Sequence, residues 1–61
     1  MDIYELTEQY RSSDQRPRRI AAAILDNFND RRGIKQELQA CDDDVIEEIF
    51  ATVARLVADT P

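Results

Sequence analysis

Apolar residues recur along the chain at helical spacing and nowhere alternate with polar ones as in a half-buried strand, so the sequence predicts an all-α chain. Asp2 with Glu5 three positions on has the spacing of a capping box, and Met1 with Leu6 that of a hydrophobic staple. A first helix is therefore expected over about 3–11. At 100° per residue its apolar side chains Ile3, Leu6 and Tyr10 fall within an arc of about 60°, a stripe suited to lying on a core and too narrow to build one.

Ser12-Ser13-Asp14 then breaks the pattern with residues that favour turns and helix starts, and Pro17 suits a first turn but not a helix interior. A second helix is expected over about 14–32, with Gly33 as the left-handed residue that ends it. Ile34 and Leu38 are one helical turn apart, enough for a short connecting helix over about 34–40. The last helix is expected over about 44–59. Asp44 with Glu47 fits a capping box there, and Asp42 with a Cys41–Ile46 staple is a competing register.

On the second helix Ile20, Ala21, Ile24, Leu25 and Phe28 share an arc of about 140°; on the last, so do Val45, Ile46, Ile49, Phe50, Val53, Leu56 and Val57. Ala51, Ala54 and Ala58 fall opposite that face. Two faces this broad hold more apolar surface than one helical hairpin covers, because a two-helix contact occupies only a seam on each partner. Ile3, Leu6, Tyr10, Ile34 and Leu38 cover part of the excess, and a second copy of the chain is expected to cover the remainder. The expected architecture is a small bundle of three main helices plus a short connecting helix, assembled as a homodimer. Its core or dimer seam is assigned to Ile20, Ile24, Leu25, Phe28, Ile46, Ile49, Phe50, Val53, Leu56 and Val57.

Length narrows the picture further. A chain of 61 residues makes a single domain, 1–61, and excludes a multidomain enzyme. With 43% hydrophobic and 34% charged residues it suits an ordered globule rather than a disordered tail. The absence of a long apolar run or a basic, apolar leader leads to the expectation of a cytoplasmic protein with no membrane partner, and its helical-regulator character to that of a bacterial or phage type. One cysteine excludes an internal disulfide.

Net charge is −5, unevenly spread: −3 over residues 1–10, +4 over 11–36 and −6 over 37–61. The overall sign argues against generic binding to nucleic acid or an anionic membrane. The basic middle between acidic ends suits helices that attract one another, within a chain or across a dimer. Arg16, Arg18 and Arg19 are the least routine feature, since cations at a helix start oppose its dipole. Either they bridge to Glu5, Glu8 or the Asp42–Asp44 run, or with Arg11 they form a candidate anion site for a phosphate or RNA.

Reaction chemistry has little to work with. No histidine is present to serve a serine or cysteine nucleophile, one thiol cannot build a four-ligand zinc centre, and the single glycine excludes a glycine-rich phosphate loop. Glu47-Glu48 lacks the third glutamate of the Glu-Glu-x-x-Glu helix found in all-α nucleotide pyrophosphohydrolases. No catalytic residue, metal site or cofactor is therefore assigned, and Cys41 reads as a small half-buried residue at a helix boundary. In size and helical-hairpin character the chain resembles small dimeric helical regulators, an analogy of architecture with no shared motif. The expected function is a non-enzymatic protein-protein interaction or regulatory role, with Asp43, Asp44, Glu47 and Glu48 as the candidate surface for a basic protein partner. The alternative is a phosphate or RNA binder using Arg11, Arg16, Arg18 and Arg19.

Overall fold

In the computed structural model, which describes residues 1–61, the elements are α1 (Ile3–Arg11), α2 (Arg16–Asn29), α3 (Arg32–Ala40) and α4 (Asp43–Asp59), with no strand. The chain is all-α, as its periodicity predicts. α1 begins where local chemistry dictates: Asp2 is extended and its carboxylate accepts the Glu5 N–H at 2.9 Å. α2 begins slightly later than expected. Ser13 Oγ accepts the Gln15 N–H at 3.0 Å, Gln15 caps the helix in an extended conformation, and Pro17 occupies the first turn.

The end of α2 corrects the sequence reading. The helix stops at Asn29 rather than near Arg32, and Gly33 is not its terminator; no residue has a positive φ, and Gly33 lies inside α3. The break falls at Asp30 and Arg31, where Asp30 N–H bonds to the Asn27 carbonyl at 3.2 Å and Arg31 is extended. Asn27, Asn29 and Asp30 explain it. Asparagine and aspartate are poor helix formers, and a carboxylate at a helix C-terminus meets the negative end of the dipole; the Asn27 Oδ1 accepts from Arg31 Nε and the buried Asn29 Oδ1 has no partner, so neither oxygen takes a backbone N–H. The expected connector is in turn longer, nine residues from Arg32 to Ala40. At α4 the competing register prevails: Asp42 is the N-cap, and its carbonyl accepts from Val45 and Ile46.

Three helices contribute equally to the core. α1 supplies Ile3, Leu6 and Tyr10; α2 supplies Ala21, Ala22 and Leu25; α4 supplies Ile46, Phe50 and Ala54. α1 is thus a builder of the core rather than a strip laid on it. Ala21 and Ala22 are fully buried, and their small side chains let α1 and α4 both approach α2 closely. The Tyr10 ring meets Phe50 edge-on, with centroids 5.1 Å apart, tying α1 to α4. The radius of gyration is 10.9 Å, against about 10.5 Å expected of a folded chain this long.

The inward line of α4 is Ile46–Phe50–Ala54, so Ala54 belongs to the core and not to the opposite face where its position on the wheel placed it. Among the residues assigned to core or seam, Leu25, Ile46 and Phe50 are buried, while Ile20, Ile24, Ile49, Val53 and Val57 are half-buried. Phe28 is 41% exposed and Leu56 54% exposed. Neither belongs to the core of a single chain. Packing of α1 accounts for this, because it draws the inward faces of α2 and α4 toward Tyr10 and turns the far edge of each apolar arc outward.

Candidate functional site

The far edges of those arcs form one surface. On α2, Ile20, Ile24 and Phe28 recur at the four-residue spacing that sets side chains on one side of a helix, away from Arg18 and Asp26, which point to α1. On α4, Val45, Ile49, Val53 and Leu56, spaced by four, four and three, likewise share one side. Ile24, Val53, Leu56, Val57 and Thr60 line a shallow groove between the two helices, and Val45, Glu48, Ile49, Thr52 and Val53 line a second along α4. Val53 belongs to both, so the grooves join into an apolar stripe running across α2 and α4. The sequence named most of these residues but could not say which are interior, because periodicity reports the direction of a side chain and not what lies beyond it. Thr52 and Thr60 escaped notice because they are polar.

The four candidate anion-binding arginines do not converge. Arg11 pairs with Glu8 one turn back and reaches Asp26 of α2 at 3.3 Å. Arg18 is half-buried with its guanidinium carbon 5.0 Å from the centre of the Tyr10 ring. Arg19 Nη1 donates to the Ser13 carbonyl at 2.9 Å, closing the turn between α1 and α2. Arg16 is exposed and makes no ion pair. None of Arg16, Arg18 and Arg19 bridges to Glu5, Glu8 or Asp42–Asp44, so that part of the sequence reading is replaced by stacking and a turn contact. Both engage cations with groups brought near by the turn, which residue spacing does not reveal.

The candidate acidic surface also divides. Asp43 Oδ2 lies 3.2 Å from the Met1 ammonium and holds its pKa above the ordinary value, first through their hydrogen bond and then through charge. Asp44, Glu47 and Glu48 are exposed and carry no ion pair, with Glu48 at the edge of the stripe. No three acidic or thiol side chains gather as metal ligands. Cys41 is half-buried at the end of α3, its thiol donating to the Glu37 carbonyl at 3.3 Å. No helix is long and apolar enough to cross a membrane.

No protein family matches the sequence, and no curated protein or solved structure matches it significantly. Any functional reading rests on the surfaces themselves.

Proposed function

We propose that this chain is a non-enzymatic interaction protein that works as a homodimer closed over the α2–α4 stripe. The observation that carries the reading is the incompletely covered apolar surface: Ile24 of α2 shares a groove with Val53, Leu56 and Val57 of α4, and Val53 carries it on to Ile49 and Val45. Contiguous apolar surface rimmed by charge marks a site of association. A second copy fits it best. A two-fold pairing uses the same patch on both partners, and small chains commonly gain by association the stability that a small core does not supply.

The dimensions are adequate. α4 has 17 residues and is about 25 Å long, and two helices side by side are about 20 Å wide, giving a footprint of roughly 500 Å² per copy. The pair would cover about 1,000 Å², the lower bound for a specific interface, so the dimer is expected to dissociate on dilution. Asp44 and Glu47 stay outside that seam and give the assembly an acidic side suited to a basic partner protein. The phosphate or RNA reading is weaker, because Arg11, Arg18 and Arg19 are already engaged within the chain.

Sedimentation equilibrium between about 1 and 500 μM tests the assembly. The weight-average mass should rise from 7.1 kDa toward twice that value. Leu56→Asp should hold it at 7.1 kDa with its helical circular dichroism intact. A wild-type mass that stays at the monomer value throughout would refute the homodimer.

A further inference from the structure

The charges flanking the stripe are of opposite sign on its two helices. At the α2 side stand Arg16, on the outward side of the first turn, and Arg31, just past the helix end with its Nε on Asn27 Oδ1. At the α4 side stand Glu48 and Asp59, with Arg55, the one cation of that helix, one turn before Asp59. None of the three ion pairs within the chain joins α2 to α4. The exposed charge on the α2 border is thus basic and that on the α4 border is acidic but for Arg55, and none of these groups is in an ion pair within the chain.

An isologous dimer over this stripe has two ways to pair its helices. It sets α2 on α2 and α4 on α4, which brings like charges together at both borders, or it sets α2 of each copy on α4 of the other, which brings opposite charges together twice. We infer that the second copy docks in this crossed manner, α2 against α4 of the partner in both directions, with Arg16 and Arg31 facing the carboxylates at Glu48 and Asp59 across the rim. This rests on the homodimer reading and adds its geometry and its electrostatic control. Like charges set opposite each other are a strong device against a wrong pairing, and opposite charges steer the right one. The crossed dimer weakens as salt screens its rim, whereas a like-on-like dimer tightens, because the same screening relieves repulsion.

Sedimentation equilibrium of the full chain at about 50 and about 500 mM NaCl separates the two. The crossed dimer predicts a higher dissociation constant at the higher salt. The double substitution Arg16→Glu with Arg31→Glu should raise the dissociation constant about tenfold or more at low salt and reverse the direction of the salt effect. The companion Glu48→Arg with Asp59→Arg should do the same. An equimolar mixture of the two variants should recover association near the wild-type level, which shows that both remain folded. Overturning results are a dimer that tightens with salt, or one whose affinity neither substitution changes; in both cases the homodimer stands and only the crossed geometry fails. A chain monomeric at every concentration and salt removes the homodimer and the crossed geometry together.

Discussion

Phe50 is the largest fully buried side chain, 1% exposed and packed edge-on against Tyr10, whereas Leu56, six positions along the same helix, is 54% exposed. Truncating each to alanine separates the interior of the chain from the surface assigned to its partner. Phe50→Ala removes a buried ring and leaves a cavity, at a cost of about 3 to 5 kcal/mol. Domains hold about 0.05 to 0.15 kcal/mol per residue, so a chain of 61 residues has about 3 to 9 kcal/mol in total. The variant should therefore be largely unfolded or close to it. Leu56→Ala, in a dilute sample where the monomer dominates, should shift stability by no more than about 0.5 kcal/mol.

Urea titrations followed by helical circular dichroism at about 2 μM provide the comparison, and repeating them at about 200 μM adds the partner by mass action. The wild-type midpoint should rise with concentration and that of Leu56→Ala should rise less. Where Phe50→Ala proves too unstable to titrate, Phe50→Leu keeps most of the volume and should lose about 0.5 to 1.5 kcal/mol with the aromatic pair. Equal costs for the Phe50→Ala and Leu56→Ala variants in dilute solution would show that Leu56 is interior after all, and the division between core and stripe would be wrong.

Arg18→Ala should lower stability by about 0.5 to 2 kcal/mol through the lost stacking on Tyr10 and the lost cover of its aliphatic stem, while Arg16→Ala in dilute solution should have little effect; urea midpoints check both. The Met1 ammonium, whose pKa Asp43 raises, contributes stability that is fully present below its unfolded value of about 8 and is lost as pH rises through the higher folded value. The melting-temperature difference between wild type and Asp43→Asn should accordingly shrink from pH 7 to about pH 10; a difference constant over that range would show that the pair contributes nothing.

What the sequence revealed and what it hid follow from the range of the interactions involved. The start of α1 was legible because Asp2 and Glu5 act across three residues, and local chemistry suffices there. The end of α2 was not, because Gly33 offers a familiar stop signal that the backbone never uses, while the break is made by Asn27, Asn29 and Asp30, each only mildly unfavourable in a helix. Ala22 and Ala54 were hidden for a different reason. Alanine suits any helix position, so its place in the core is decided by how closely a neighbouring helix approaches, which is a tertiary fact. Leu25, Phe50, Phe28 and Leu56 were assigned together to core or seam, and only the position of α1 separates the first two, which are buried, from the last two, which are exposed. Arg18 shows the same limit on the charged side. Its eight-residue separation from Tyr10 has no meaning until the turn at Ser13 folds one helix back on the other.

The most direct test is an isotope-filtered NOE experiment on an equal mixture of ¹³C-labelled and unlabelled chains at about 1 mM, where association should be substantial. The predicted result is magnetisation transfer between copies, from the methyl groups of Val53 and Leu56 on one to Ile24 and the Phe28 ring on the other, the pairs that a crossed dimer brings together. Methyl groups that show no transfer between copies and relax freely with a soluble paramagnetic probe would mean that no second chain covers the stripe.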